Sequence, residues 1–289
     1  MPQPHSHAIL FEMLRSFTTL AHTLNLSKAV RVLGSTRQTV RRHIDILEDI
    51  RGEKLFKLQD RQYNLTEAGS QSLHEAEILL SRGEAWLTGR TKTVGGLALV
   101  RYDDEQKFST YLQQHPVTRI WDDGPPLLQA GAQSWVDAKA RLDHPAMERI
   151  TPYINVFRKH EENWLCVHVG EKSSIARLLG PTWAKSAIGV VMTDDPIKSD
   201  ADSFSVEIYN RVALEGGLRL DHIFVGMARE EGQAPQPIRY QRLLFGCYFP
   251  DGSPALANLT ALTNKIDIAK LDLKNVGMTP EEDLMEFDI

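Results

Sequence analysis

Apolar residues in the first part of the chain recur at the three- and four-residue spacing of amphipathic helices. The spacing predicts helices over about 8–24, 27–33 and 35–51, with these apolar stripes: Leu14, Phe17, Leu20, Ala21 and Leu24; Ala29, Val30 and Leu33; Val40, Ile44, Leu47 and Ile50. Gly34 supplies a turn before the third helix, which Ser35 is predicted to cap with Gln38 as its capping-box partner. Two helices joined by a tight glycine-containing turn predict a helix-turn-helix.

The next segment alternates apolar and polar residues and predicts a short hairpin. Its strands cover 54–58 and 62–65, and the polar turn 59–61 joins them. This hairpin follows the third helix directly, so it is expected to form a wing with Arg61 at its tip.

A long helix is predicted from Thr66 to about residue 90. Leu73, Leu80 and Leu87 recur every seven residues along it, which is the repeat of a coiled-coil seam. We therefore expect two copies of the chain to pair through Leu73, Leu80, Trp86 and Leu87. The alternative is a helix packed on its own domain, but Gly83 and the small size of that domain leave little core for it. Residues 88–96 are the expected hinge.

Strands and helices follow each other in a different order in the second part. A hairpin over 153–159 and 163–169 precedes helical segments near 173–189 and 203–215, and three strands over 219–228, 238–249 and 255–268 come last. This order predicts an α+β protein whose second part holds one antiparallel sheet with helices on one side. Residues 93–149 are interrupted by prolines and are expected to flank this domain.

The charge of the chain is divided between its two parts. The 289 residues have a formal net charge of −5, yet residues 1–92 contain 13 basic and 10 acidic side chains. The stretch 28–42 has no acidic residue and five basic ones: Lys28, Arg31, Arg37, Arg41 and Arg42. A local basic patch on an otherwise acidic chain is typical of a nucleic-acid-binding domain joined to another domain.

The third helix therefore has the chemistry to read double-stranded DNA. Arginine matches guanine edges and phosphates, and glutamine pairs with adenine. A solvated charged face is the alternative, but cap, turn, basic end and apolar stripe agree with one another. The predicted DNA contacts are Ser35, Thr36, Arg37, Gln38, Arg41, Arg42 and, from the wing, Arg61.

Residues 14–69 resemble the winged helix-turn-helix of LysR-type transcriptional regulators. The matching residues are Leu14, Phe17, Ala29, Ile44, Leu47, Glu48, Gly52, Leu55, Phe56, Arg61 and the run Leu65, Thr66, Glu67, Ala68, Gly69. Thr36, Arg37, Gln38, Arg41 and Leu58 depart from the family pattern. The resemblance implies a regulator that pairs through its linker helix as a homodimer or tetramer, and the departures imply a different operator preference.

The second part is predicted to depart from the family. A LysR-type effector domain has two α/β lobes, whereas the order of two strands, helices and three strands resembles a PAS domain. The expected boundaries are 8–66 for the DNA-binding domain, 67–92 for the linker helix and hinge, 93–149 for the flank, 150–270 for the PAS-like sensor and 271–289 for an acidic, solvated tail. Five aromatic residues could line a pocket for a small-molecule effector or fill the core instead: Tyr153, Phe157, Trp164, Tyr209 and Tyr240. A pocket is expected near Trp164 and Tyr209.

No enzyme signature is found in the sequence. Cys166 and His168 alternate onto one strand face, but no third ligand accompanies them, and Trp164 on that face favours a core histidine over a metal or thiol site. No cofactor, metal or membrane segment is expected, and two cysteines favour a reducing cytoplasm. The predicted function is a DNA-binding regulator with a sensor domain. The alternatives are an adaptor whose PAS-like domain makes only protein contacts and a conventional two-lobe effector domain.

Overall fold

The computed structural model describes residues 9–59, 62–89, 91–103, 108–160, 163–191, 201–228, 233–285 and 287. These residues form two compact units, Met1–Gly89 and Arg90–Ile289. None of the described helices is both long enough and apolar enough to span a bilayer.

The first unit is a small helical domain with a two-stranded wing. Its elements are α1 (Leu10–Thr23), α2 (Leu26–Leu33), α3 (Arg37–Arg51), β1 (Phe56–Gln59), β2 (Gln62–Leu65) and α4 (Glu67–Leu87). The three predicted helices and the wing are found within three residues of their expected ends. Their apolar stripes meet in one core around Phe17, Leu20, Val40 and Leu55, so the helix-turn-helix is held by burial of the residues that the spacing identified.

The second unit is built on one antiparallel sheet. Its strands are β3 (Thr91–Val94), β4 (Leu97–Asp103), β5 (Ser109–His115), β6 (Ile154–His160), β7 (Asn163–Val169), β8 (Leu218–Met227), β9 (Gln236–Tyr248) and β10 (Pro254–Leu262). They lie in the order β3-β4-β5-β8-β9-β10-β6-β7, and every neighbouring pair is antiparallel. The prediction of a single antiparallel sheet is confirmed. Strands β4 and β5, which the sequence left unassigned, extend this sheet.

Helices cover both faces of the sheet, so the prediction of helices on one side is wrong. They are α5 (Arg119–Asp123), α6 (Pro126–Asp137), α7 (Ser174–Ser186, kinked at Gly180) and α8 (Ala201–Glu215). Leu127 and Leu128 of α6 pack with Phe245 of β9, whereas Tyr209 and Val212 of α8 pack with the preceding residue of that strand, Leu244. Successive strand residues point to opposite faces, and the central strands are apolar at both parities, so both faces need cover. We call these the α6 face and the α8 face.

The C-terminal segment packs against the sheet and is not the solvated tail that its acidic composition suggested. The Arg239 guanidinium donates hydrogen bonds to the carbonyls of Leu273, Val276 and Gly277. Farther on, the Met285 amide donates to the Leu262 carbonyl at 3.1 Å, and the Phe287 ring meets the Tyr153 ring edge-on. A buried arginine can be satisfied by main-chain carbonyls, and here they fix the segment.

Candidate nucleic-acid interface and effector region

The N-cap of the third helix lies one residue later than the sequence predicted. Thr36 is its N-cap, and its Oγ1 accepts a hydrogen bond from the Thr39 amide at 3.1 Å. The capping role assigned to Ser35 and Gln38 is therefore wrong. Both hydroxyl residues can cap, and the left-handed turn at Gly34 (φ 58°) leaves Thr36 as the last extended residue before the helix.

Basic side chains cover the start of α3 and the adjoining surface of α2. We define the basic surface as Lys28, Arg31, Arg37, Arg41 and Arg42, all of them exposed, with exposed Gln38 beside them. Arg37 donates to Ser27 Oγ at 2.7 Å and so connects α3 to α2. Among the described residues, Arg41 and Arg42 have no hydrogen bond or ion pair, so their guanidinium groups are available to a ligand.

A buried carboxylate fixes the wing to α3. Both Oε atoms of Glu48 are used: Oε1 accepts from the amides of Leu55 at 2.9 Å and Phe56 at 3.2 Å, and Oε2 pairs with Lys54 Nζ at 2.6 Å. The Glu48 hydrogen bonds raise the pKa of Lys54 above its ordinary value. The sequence identified Glu48 as part of the family resemblance but did not show this role. Glu48 stands among acidic residues of the same helix, Asp45 and Asp49, which are exposed, and the sequence alone does not distinguish it from them.

A second polar contact fixes α3 to α1, and no sequence pattern indicated it. His43 is buried, and its Nδ1 lies 2.8 Å from Ser16 Oγ. Burial lowers the pKa of His43, and the Arg42 charge lowers it further. The helix that carries the basic surface is thus held by α1, by α2 and by the wing.

The last of the predicted DNA contacts is the arginine expected at the tip of the wing. Arg61 lies outside the described residues, so its contact stays a prediction. Lys57 and Leu58 of β1 are both exposed.

The residues of the long helix α4 that were predicted to form one dimer seam lie in two different environments. Leu73 and Leu80 pack against the core of their own domain. Gly83 makes this packing close, since a Cβ there would lie 2.9 Å from Cε2 of Phe11 in α1. The alternative of a helix packed on its own domain therefore applies to this part of α4. Farther along, Trp86 and Leu87 are 75% and 74% exposed, and Leu79 is 48% exposed.

Four of the five predicted effector residues share one face of the sheet. Phe157, Trp164 and Tyr209 form a cluster on the α8 face, and Trp164 Nε1 donates to Asn210 Oδ1 at 3.1 Å. Tyr240 lies on the same face in the cluster under α7. Tyr153 packs on the α6 face, apart from the other four. Tyr153 was predicted to begin the strand, but it lies in the short 3-10 helix Thr151–Tyr153 before β6, so the alternation of the strand does not place its side chain.

The Cys166 thiol donates to the main-chain carbonyl of His168 at 3.7 Å. Cys166 is buried, which raises the pKa of its thiol to about 11, and His168 Nε2 lies 3.1 Å from the Thr151 carbonyl. Searched over the described residues, the structure contains no group of three metal-ligating side chains.

Comparison with known proteins places a family domain on the first unit. Residues 11–70 match the family described as "bacterial regulatory helix-turn-helix protein, lysR family", so this part of the chain is a LysR-type helix-turn-helix domain. A search of curated proteins found no relative.

Solved structures match over parts of the chain. Oxidized OxyR of Corynebacterium glutamicum is 24% identical over 31% of this chain and 26% of its own, with a TM-score of 0.27. CbnR, a LysR family transcriptional regulator, is 28% identical over 28% of each chain, with a TM-score of 0.26. The CbnR DNA-binding domain in a DNA complex is also 28% identical, over 28% of this chain and 93% of its own, with a TM-score of 0.26. The chain thus spans about a quarter of the full-length regulators that it matches.

Proposed function

We propose that this chain, whose residues 11–70 are a LysR-type helix-turn-helix domain, is a transcriptional regulator that binds double-stranded DNA through the basic surface. The observation that carries the proposal is the exposure of five basic side chains, with no acidic residue among them, at the start of α3 and on α2. Guanidinium groups at the N-terminal end of a recognition helix can reach base edges and phosphates in the major groove. Such a regulator works where the DNA is, which in a bacterium is the cytoplasm.

The way in which α3 is held supports this function. Ser27 holds Arg37, Ser16 holds His43, and the wing amides hold Glu48, so three contacts fix the helix that carries the basic surface. A reading helix fixed before binding loses little freedom when it enters the groove. Of the predicted DNA contacts, Arg37, Gln38, Arg41 and Arg42 are the ones we propose to face bases, and Ser35, Thr36 and Arg61 are proposed to approach phosphates.

We also propose that the regulator acts as a homodimer paired through α4. Leu79, Trp86 and Leu87 leave apolar surface exposed near the end of this helix. Large exposed aromatic residues beside aliphatic ones are typical of interfaces. A dimer would present two copies of α3 to two half-sites of an operator.

The second unit is proposed to be a PAS-like sensor. Two strands (β6, β7), two helices (α7, α8) and three strands (β8 to β10) follow in the order on which that resemblance rests, and all five strands share one sheet. A change in this unit would act on DNA binding by altering the distance between the two copies of α3. For this the effector must bind the two arrangements with different affinity.

The experiment starts from a random-sequence duplex library, from which the full-length protein selects its preferred sequence. Dissociation constants for that sequence are then measured at fixed salt for Arg41→Ala and Arg42→Ala. If the replaced arginine contacts a base, the dissociation constant should rise by about 5- to 150-fold, the equivalent of roughly 1–3 kcal/mol.

Arg51→Ala is the matched control. It removes the same charge from the other end of α3, where Arg51 pairs with Glu53, and it should bind like the parent protein. If the parent protein, Arg41→Ala and Arg42→Ala all bind the selected DNA with equal affinity, the assignment of α3 as the reading helix is overturned.

A further inference from the structure

Three buried charges lie side by side on the α8 face of the sheet. The carboxylate of Asp221 is fully buried, and two arginines hold it: Arg219 Nε donates to Oδ1 at 2.8 Å and Arg242 NH2 donates to Oδ2 at 2.8 Å. The side chains of Arg219 and Arg242 are only 8% and 7% exposed. Two guanidinium groups against one carboxylate leave one positive charge in excess among the described side chains of this cluster.

Two hydrogen-bond donors in the cluster are unused. Arg219 NH1 donates to Gln114 Oε1 at 3.2 Å and Arg242 NH1 donates to the Tyr209 hydroxyl at 3.4 Å, but Arg219 NH2 and Arg242 Nε are buried without a partner. Buried donors are almost always paired in folded proteins, and a buried charge without a partner is costly. Burial accordingly lowers the pKa of Arg219.

Strand register shows that the cluster belongs to a polar row built into the sheet. Gln114 of β5 pairs with Asp221 of β8, Asp221 pairs with Arg242 of β9, and Arg242 pairs with Thr260 of β10. Directly opposite residues on antiparallel strands point to the same face, so all four side chains are on the face that α8 covers. Phe157, Trp164 and Tyr209 form an aromatic cluster on this face, with Tyr209 contacting Arg242.

We infer that this cluster binds the oxyanion of a small molecule, a carboxylate or a phosphate, at Arg219 NH2 and Arg242 Nε. Each guanidinium group donates to a different oxygen of the same carboxylate at 2.8 Å, so the two unpartnered nitrogens belong to one cluster. Guanidinium groups match planar or tetrahedral oxyanions with paired hydrogen bonds, and the anion would remove the excess charge. The inference deepens the proposed function, since it names the chemistry of an effector for the sensor unit.

The test measures thermal stability of the full-length protein and needs no DNA. Unfolding temperatures are recorded in sodium acetate, sodium phosphate and sodium chloride at equal ionic strength, with acetate and phosphate as the two oxyanion sources. A ligand that binds only the folded state raises the unfolding temperature with its concentration. We expect acetate, phosphate or both to raise it above the value in chloride.

Two variants separate binding from the general effect of salts. Arg219→Gln removes the excess charge while leaving Asp221 paired with Arg242, and it should lose the oxyanion-dependent rise. Arg141→Gln removes an exposed arginine of the same unit, whose partner is Asp143, and should keep the rise. The inference is overturned if the rise is equal in Arg219→Gln and Arg141→Gln, or if the parent protein shows no rise in either oxyanion.

Should Arg219→Gln fail to fold, Arg219→Lys replaces it. Lysine keeps the charge but loses the guanidinium fork, so the affinity for the oxyanion that raised the unfolding temperature of the parent protein, measured by calorimetric titration, should fall about tenfold. Unchanged affinity would equally overturn the inference. A parent protein that shows the rise but selects no DNA sequence would instead contradict the proposed regulator and leave the anion site standing.

Discussion

At the scale of single residues, His222 makes the second unit sensitive to acid. Its Nδ1 accepts from the Asp267 amide at 2.9 Å, so its proton is on Nε2, which is buried without a partner. Burial, with the neighbouring His115 and Arg119, lowers the pKa of His222 to about 3. The unfolded chain, with a pKa near 6.5, takes up the proton first. The contribution of His222 to the free energy of unfolding is therefore fully present above about pH 6.5 and is lost as the pH falls towards 3.

This acid sensitivity can be measured by urea unfolding. At about pH 4.5 the free energy of unfolding should be lower by roughly 2–3 kcal/mol than at neutral pH through this group alone. Tryptophan fluorescence follows the second unit once Trp86 of the first unit is replaced by Phe, because the other four tryptophans, Trp121, Trp135, Trp164 and Trp183, all belong to it. His222→Gln should reduce the difference, and His160→Gln, an exposed control, should not. Equal acid sensitivity of the two variants would disprove the role of His222.

Glu48 gives a second prediction at this scale. Glu48→Ala leaves the buried amides of Leu55 and Phe56 without acceptors, at about 1–3 kcal/mol for each. Amide hydrogen exchange at these two residues should become faster. The exposed neighbour in Asp49→Ala serves as control and should leave it unchanged. Slow exchange retained in Glu48→Ala would show that something else fixes the wing.

Whether such residues can be found in a sequence depends on what their pattern encodes. Arg41 and Arg42 were predicted to be exposed because they lie away from the apolar stripe around the helix, and they are exposed. The sequence does not tell a buried polar residue from an exposed one of the same type. For this reason it did not reveal the roles of Glu48, His43 and Asp221. The burial of such a residue depends on partners in distant segments.

At the scale of elements, α4 shows that a seven-residue repeat does not distinguish a dimer seam from a stripe that packs on its own domain. Leucines seven apart lie within about 20° of each other around a straight helix, so Leu73, Leu80 and Leu87 share one stripe whichever surface it contacts. Leu73 and Leu80 face their own domain, and Leu87 is exposed. Strands β6 to β10 were predictable because they alternate or are long and apolar, whereas β4 and β5 contain polar residues such as Gln113 that are satisfied only after folding.

The dimer proposal is best tested at the exposed part of this helix. Trp86→Glu places a charge on the proposed interface without disturbing the domain core, and light scattering should show a shift from dimer to monomer. Leu80→Asp is a poor test, because Leu80 packs in its own domain and the variant is expected to unfold. A Trp86→Glu protein that stays dimeric would place the interface elsewhere.

At the scale of the whole molecule, the two units should unfold separately. Each has its own core, the first around Phe17 and the second around Phe245. We expect two transitions in calorimetry, of which Glu48→Ala lowers only one. A fragment of residues 90–289 should keep the tryptophan fluorescence of the full chain in which Trp86 is replaced by Phe. A single transition shared by both units, shifted as a whole by that variant, would contradict this expectation.

The strand order also determines when each unit can fold during synthesis. The first unit joins segments close in sequence, so it can form as soon as its last helix leaves the ribosome. In the second unit, Tyr111 pairs with Phe224 and Arg158 pairs with Ala255. The hairpin β6-β7 therefore has an unpaired edge until β10, ending at Leu262, has been made. Sheets closed by such distant pairings fold slowly, and their open edges can join other chains. The nascent second unit is thus the part of this protein that most needs a chaperone.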